Sequence, residues 1–347
     1  MDDLKKIVSE AVWAPSGDNS QPWRFVIGEL SVKIFNLPDR DNPILNFKKS
    51  GSYIAHGALI ENITILAGEF GYTTDVRIFP DSSEENLVSE VIFTKSQVVR
   101  NPLRGYIKER HTNRRPYEER KIDAVTFGKL LESGTNQDDL IIVEEDSKLR
   151  KISSALSVME RIALENKGLH RLFFGDLLWS EDDNKVGKPG LFVKTLEIPV
   201  IALFLFKILR FWPWTRLANL FGFSRMASYG NAKIYARSSA FILVSTKGNL
   251  PVDFVNSGRL TQRIWLTAVA GGLSVQPVTG ILFMGRRFMS GDTQGFSMRH
   301  VQMAKDAHNQ VQREFGLPRD SNMMMVLRIG YAQDPTAHSF RMSPHFI

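Results

Sequence analysis

The chain has 347 residues, 43% of them apolar, enough for a sizeable core and for one large domain or two of ordinary size. Without cysteine it can form no disulfide, thiolate metal site or cysteine nucleophile. Its net charge of +7, from 44 Lys and Arg against 37 Asp and Glu, suits an anionic partner but lacks the broad basic face that nucleic acid requires.

The opening run DDLKKIVSEAVW, Asp2 to Trp13, is acidic and then amphipathic, which predicts a helix. It lacks the long apolar core of a secretory signal and reads as part of the mature protein, in keeping with a cytoplasmic location. The loop APSGDNSQPW, Ala14 to Trp23, comes next. Pro15 and Pro22 fix φ at its two ends, Gly17 permits close backbone approach, and Ser16, Asn19 and Gln21 bring donors and acceptors. That set suits a planar polar ligand; a helix stop followed by a turn explains the prolines and glycine but not the polar side chains. Strands are predicted at Trp23 to Gly28, Val76 to Phe79 and Glu90 to Thr94, and a helix over His56 to Tyr72.

Between Val99 and Lys121 eight Lys or Arg stand against three Glu, the densest positive charge in the chain. Within it lies RHTNRRPY, Arg110 to Tyr117, where Arg110, Thr112 and Arg114 alternate. On an extended segment alternate residues point the same way, so two guanidinium forks and a hydroxyl can converge on one phosphate. The plainer alternative is a solvated basic turn. A helix is then predicted over Ile122 to Glu132, and strands at Leu140 to Glu145, Phe241 to Thr246 and Met323 to Tyr331. The stretch Ile198 to Phe206 is apolar but interrupted by Pro199 and ended by Lys207 and Arg210, well short of the roughly 20 residues of a bilayer span. The larger segment 191–223 carries Phe204, Phe206, Phe211, Trp212 and Trp214 and has three readings: core or subunit contact, a lid over a ligand, or a peripheral membrane contact. The seven histidines have no metal-ligand spacing; His56 reads as structural, and His338 and His345 lie in a terminal tail. No metal and no hydrolytic triad is expected.

The chain repeats itself. Shifted by 201 residues, His56 to Tyr72 falls on Ser257 to Leu273, with identities at Gly57/Gly258, Leu59/Leu260, Ile63/Ile264, Ala67/Ala268 and Gly71/Gly272. Most recur at the spacing of one buried helical stripe. Shifted by 117, SGDN at Ser16 falls on SGTN at Ser133, and Trp23 to Gly28 falls on Leu140 to Glu145. The two offsets differ by 84, so the second copy carries that many more residues between its strand and its later helix, the apolar segment among them. Helix, loop, strand and helix therefore occur twice in one order. The expectation is an α+β protein of mixed sheets flanked by helices, divided into a first half over 1–105 and a second over 106–347 with an apolar lid-like insertion at 191–223.

The loop and the arm together resemble the nitroreductase-like FMN-binding family, most nearly its long single-chain, Acg-type members. In ordinary members two subunits share each flavin, one giving an R-x-S-x-R/K arm to the phosphate and the other a PSG-x-N-x-QPW loop to the ring. The resemblance places the loop at Pro15, Ser16, Gly17, Asn19 and Gln21 and the arm at Arg110, His111, Thr112 and Arg114, with Thr where Ser is usual and His111 giving backbone N–H. It further implies a flavin-facing Asn231, with the usual following lysine shifted to Lys233. It also implies a backbone loop at Pro277, Thr279 and Gly280 near the flavin N5 edge, and a third cation, Arg341, in SFRMSP. Only one loop and one arm survive, so the resemblance implies one FMN per chain and an internal pseudo-dimer, as a monomer or paired again into a homodimer. It implies NAD(P)H as donor and a nitroaromatic, quinone or similar small molecule as acceptor, with no catalytic side chain required. A flavin-sequestering protein with a covered pocket and little turnover is the alternative.

Overall fold

The computed structural model describes residues 2–40, 42–134 and 139–346. Helix α1 (Asp2–Ala11) places Asp2 and Asp3 in its first turn, where they complement the helix dipole, and buries Leu4, Ile7, Val8 and Ala11 along one stripe. Strands β1 (Trp23–Ile27) and β2 (Ser31–Asn36), helix α2 (Ser50–Glu69), and strands β3 (Tyr72–Ile78) and β4 (Leu87–Lys95) complete a first unit. A second begins with the short α3 (Tyr106–Glu109), then α4 (Ala124–Glu132), N-capped by the Asp123 side chain on Thr126 N, and β5 (Leu140–Val143). Helices α5 (Asp146–Leu156), α6 (Val158–Glu165) and α7 (Lys167–Gly175) follow, then β6 (Leu177–Leu178), α8 (Glu181–Lys185) and β7 (Leu191–Phe192). Next come α9 (Val200–Leu209), α10 (Trp212–Leu220), α11 (Phe223–Ala236) and β8 (Ala240–Thr246). The chain ends with α12 (Pro251–Ala270), β9 (Ser274–Pro277), α13 (Gly280–Met289), α14 (Met298–Glu314) and β10 (Asn322–Gly330).

The strands form two four-stranded antiparallel sheets of like construction, in the orders β1-β2-β4-β3 and β5-β8-β10-β9. In both, the helix between the second and third strands in sequence packs on the sheet: α2 in the first, α12 in the second. Among the described residues parallel pairing is confined to the β6–β7 ladder and to two bridges, Phe25 with Phe346 and Thr112 with Val275. The first bridge lays the end of the chain along the edge of the first sheet, so the tail of the second unit closes the first. The expected strands all form. β2, β6, β7 and β9 are additions; in β2 the alternation that Val32, Lys33 and Ile34 begin is lost at Phe35, buried next to Ile34. The connection from β5 to β8 holds α5 to α11, so the extra length of the second unit is mostly helical. The degenerate copy of the loop, SGTN from Ser133, falls partly on residues 135–138, which lie outside the described residues.

Helices α2 and α12 are the centre of the molecule. Fifteen of the twenty residues of α2 are buried, as a helix apolar on all sides requires. The two helices cross at the glycines of the repeat. A Cβ on Gly57 would lie 2.0 Å from Val255 O, and one on Gly258 would lie 2.0 Å from Ile54 O, and these are the same contact under the offset of 201. One turn further on, Glu61 binds Arg263 at 2.9 Å and Gln262 Nε2 donates to Asn62 Oδ1 at 2.8 Å, again one contact seen from each helix. Arg259 adds a second ion pair to Glu61 at 3.1 Å. Reciprocity of this kind is what an isologous two-fold interface produces.

Two outcomes follow from this packing. Gly57→Val or Gly258→Val must displace a backbone carbonyl and is expected to lower the urea unfolding free energy by about 3 kcal/mol or more. Gly128→Ala in α4, where a Cβ meets open space, is expected to be neutral or stabilising by up to ~1 kcal/mol. His56 of α2 is fully buried, with Nε2 3.1 Å from Asn36 Oδ1, and burial lowers its pKa to about 3 against the favourable backbone bond at Pro22. The unfolded chain therefore takes this proton first, near pH 6.5, and stability falls with pH from there towards 3. Between pH 7 and pH 5 this histidine alone is expected to remove about 2 kcal/mol, and His56→Leu should flatten the pH dependence of the unfolding free energy by that amount.

Candidate functional site

The loop between α1 and β1 is strained. Asp18, Asn19 and Gln21 all take positive φ, at 47°, 57° and 50°. Asp and Asn tolerate this region, whereas Gln does so only when its surroundings impose it. Those surroundings are visible. Gln21 N donates to Ser16 Oγ at 3.0 Å, Gln21 Nε2 to Gly187 O at 3.0 Å, and Met342 N donates to Gln21 Oε1 at 2.8 Å. Arg40 Nη1 donates to Gln21 O at 2.8 Å, and Asn19 Nδ2 to Phe340 O at 3.1 Å. The carboxy-terminal tail and the turn at Gly187 thus lie on the loop and hold two of its polar side chains. Gly187 has φ +70°, and a Cβ there would stand 2.2 Å from the Arg341 carbonyl carbon, so only glycine lets the tail pass. The other end of the loop stays open: Pro15 and Ser16 are half-buried, and a Cβ on Gly17 would meet open space.

Two guanidinium groups sit at the loop's entrance. Arg110, 5% exposed, donates from Nη2 to Trp13 O at 2.9 Å and lies 4.5 Å from the centroid of the Trp265 ring. Its Nε is buried and has no hydrogen-bond partner among the described residues. Arg341 donates from Nε to Ala14 O at 3.4 Å and from Nη1 to Ser339 O at 3.0 Å. Burial holds the Arg110 pKa well below its usual value, and the neighbouring charge of Arg341 lowers it further; burial alone brings Arg341 to about 10. Two adjacent cations answered by carbonyls make a place where an anion is favoured.

Arg114 is drawn elsewhere. Its Nη1 donates to Thr195 O at 3.1 Å, burial lowers its pKa, and the carboxylate of Asp18 opposes that shift. Asp18 is raised by burial against the pull of Arg114, and Asp176 is raised to about 6 by burial and then by the charge of Asp18. The alternation of the arm therefore brings Arg110 to Arg341 and sends Arg114 to Asp18. Between them Thr112 is the residue bridged to Val275 of β9. His111 stands edge-on to His338 at 4.8 Å, its pKa lowered by burial and then by that second ring.

The remaining expected residues line the second unit. Asn231 lies on α11, and its side chain hydrogen-bonds the buried Glu160, which also accepts from the Tyr235 hydroxyl; burial raises the Glu160 pKa against both bonds. Lys233 turns to the Tyr229 ring, 4.5 Å from its centroid. Pro277 ends β9, Thr279 precedes the first turn of α13, and Gly280 begins it, with room for no Cβ because Met159 Cγ would be 2.7 Å away.

The residues that set the arm in place were not singled out by sequence. Asn113 is fully buried; its Nδ2 donates to Ser274 Oγ at 2.9 Å and to Gln333 O at 2.8 Å, and its backbone N to Val275 O at 2.9 Å. Arg328, at 0% exposure in β10, donates from Nε to Gln276 Oε1 at 2.6 Å and from Nη2 to Arg115 O at 2.8 Å and Asn113 O at 3.3 Å. Its guanidinium lies 4.0 Å from the Tyr117 ring centroid. The available signal was a lone arginine inside the apolar strand MMMVLRIG, a residue that is rarely buried without a purpose. Arg115 completes the anchorage with an ion pair to Glu197 at 3.1 Å. Beside the loop, a half-open groove of about 540 Å³ runs between Trp23, Arg24, Arg40, Met342 and His345. Among the described residues no group of His, Asp or Glu is arranged to hold a metal.

No family model matches the chain. It is 24% identical over 350 residues to an uncharacterized protein, MT1398, of Mycobacterium tuberculosis, covering 98% of this chain and 47% of that protein. It is also 25% identical over 178 residues to the putative NAD(P)H nitroreductase acg of the same organism, covering 50% of this chain and 53% of that protein. The chain thus spans about half the length of the curated relatives it matches. Among solved structures, an FMN-dependent nitroreductase of Clostridium difficile overlaps at TM-score 0.35 with 12% identity, covering 68% of this chain and 90% of that one. A nitroreductase with bound FMN from Bacteroides fragilis overlaps at TM-score 0.35 with 11% identity, covering 70% and 94%. Overlaps that loose have no bearing on the site. By sequence the chain is similar to the nitroreductase-like proteins of the Acg type, as its loop and arm indicate.

Replacing Arg328 takes this donor from the Arg115 carbonyl and from Gln276 Oε1, at about 1 to 3 kcal/mol for each buried group, while Asn113 O keeps the Tyr117 hydroxyl at 2.9 Å. Arg328→Met is accordingly expected to lower the unfolding free energy by about 2 kcal/mol or more and to raise amide exchange at Asn113 to Tyr117, read by urea denaturation and hydrogen exchange.

Proposed function

We propose that the chain is an FMN-dependent oxidoreductase that takes reducing equivalents from NAD(P)H and delivers them to a nitroaromatic, quinone or similar small acceptor. The observation that carries this reading is the pair of buried Arg110 and half-buried Arg341, whose hydrogen bonds go to carbonyls and whose Arg110 Nε is unanswered. Their donor set fits a phosphate, which would satisfy the orphaned Nε and offset two like charges. His111 and Thr112 lie on the same arm. Pro15, Ser16 and Gly17 form the open edge suited to a flat ring, with Asn19 and Gln21 fixing the loop behind it. Arg114 and Asn231, with the Pro277, Thr279 and Gly280 turn, complete the proposed lining; the turn contributes backbone N–H groups at the start of α13. Bound there, FMN supplies the hydride chemistry, and the protein positions it and stabilises charge. The preference for a nicotinamide donor comes from the likeness to acg, described as a putative NAD(P)H nitroreductase.

The same proposal includes a duplication. The matching strand orders and the reciprocal crossing at Gly57 and Gly258 support reading 1–105 and 106–347 as two halves of an internal pseudo-dimer; the proposal adds one flavin, for the one surviving loop and arm, and a cytoplasmic location. A second reading, flavin sequestration with little turnover, is favoured by the tail lying across Asn19 and Gln21. NADPH distinguishes the two: bleaching of the bound flavin supports the oxidoreductase, and persistent yellow colour supports the holding protein.

Native mass spectrometry is expected to find one FMN per chain, and two would refute the single surviving site. Arg110→Ala and Arg341→Ala are each expected to weaken FMN binding about tenfold or more, through loss of a charge-assisted bond of about 1.5 to 3 kcal/mol. FMN titration of apo-protein checks this, and unchanged affinity in both variants would overturn the phosphate assignment.

A further inference from the structure

Helices α9 and α10 follow one another directly and share one anchored side. Phe206 and Leu209 pack against Phe173, Phe174 and Trp179. His170 Nε2 lies 2.8 Å from Leu209 O and 3.1 Å from Thr215 Oγ1, and its ring meets Trp212 edge-on at 5.2 Å. This anchorage settles which way the other face turns. The lid expected of 191–223 divides here: Thr195 and Glu197 hold the arm, while the two helices turn their remaining apolar side chains to solvent.

Those side chains are large. Ile201 is 92% exposed, Phe204 72%, Trp214 55%, Leu220 77% and Phe221 86%. Large apolar side chains exposed in this number along one short segment are rare on a protein surface that meets only water. Its charge is one-sided as well. From residue 198 to residue 252 the sequence has no Asp or Glu, and Lys207, Arg210, Arg216 and Arg225 stand exposed around the apolar face. Arg210 lies 4.6 Å from the Phe211 ring centroid, its charge held at the rim of the aromatic surface.

We infer that the α9–α10 segment docks in the surface of an anionic lipid bilayer. Lipid phosphates answer the exposed cations, the Phe, Ile and Leu side chains enter the acyl boundary, and Trp214 suits the interface, being apolar in body with one polar N–H. The segment docks without spanning: α9 has 10 residues, about 15 Å, against a hydrocarbon core of about 30 Å. Among the described residues no helix is long and apolar enough to cross a membrane. A second copy of the chain fits the face poorly, because two-fold pairing would set the same cations against each other with no carboxylate in the segment to offset them. The inference rests on this surface alone and is independent of the flavin.

Full-length protein sedimented with vesicles of phosphatidylcholine and phosphatidylglycerol is expected to bind. It should bind vesicles of phosphatidylcholine alone much more weakly and be released by salt. Lys207→Gln combined with Arg210→Gln should weaken binding to the mixed vesicles roughly thirtyfold. Ile201→Glu with Phe204→Glu, both exposed, should abolish it while leaving the thermal transition unchanged. Absence of binding by the unaltered protein, or equal binding by the Ile201→Glu, Phe204→Glu variant, would overturn the inference. If light scattering showed instead a dimer that this variant dissociates, with no vesicle binding, the face would belong to a second copy of the chain.

Discussion

The close crossing of α2 and α12 at Gly57 and Gly258 sets the frame to which both parts of the candidate site are referred. Without side chains at the contact the two backbones meet directly, and the layer of Glu61, Asn62, Gln262 and Arg263 fixes their rotation. From that layer Asn62 Nδ2 reaches Ala11 O at 3.0 Å, tying down the end of α1 and so the start of the loop. From α12 the Trp265 ring lies under Arg110. Loop and cation, 97 residues apart along the chain, therefore take their positions from one helix pair.

The buried arginines divide by what answers them. Arg328 finds an amide oxygen and backbone carbonyls for its donors and the Tyr117 ring for its face; it acts as scaffolding, turning the arm where it passes Asn113 and Arg115. Arg110 and Arg341 stand side by side with a donor left over, so burial and mutual repulsion both favour an added anion. The same kind of residue is fully answered in one place and left with an unanswered donor in the other. The difference lies in the number of acceptors within reach.

The extra length of the second unit has two ends with different chemistry. Near Gly187, Thr195 and Glu197 it is polar and tight, holding Gln21, Arg114 and Arg115. Beyond Pro199 it becomes apolar and cationic and leaves the protein core. One insertion thus touches the site at its base and offers a surface at its tip.

The repeat, the strands and the loop-and-arm pair were legible in the sequence because each is a local pattern: helical spacing in Leu59 and Ile63, alternation in Arg110 and Arg114, and the Pro and Gly of the loop. Local patterns were enough to give the α+β class and the residues worth testing. They missed β2, whose alternation is lost at the adjacent buried Ile34 and Phe35, the short β9, and the helices between β5 and β8. The partners of those residues were decided only in three dimensions. Asn19 and Gln21, read as facing a ligand, bond a tail 321 residues away, and Arg114 donates to the Thr195 carbonyl while Arg110 donates to that of Trp13. Which apolar face of 191–223 is covered was equally undetermined by composition, since burial depends on what packs against it, and that is settled by Phe173, Phe174 and His170 from another helix. Sequence fixes what each side chain can bond; only the folded chain determines which of those partners it meets.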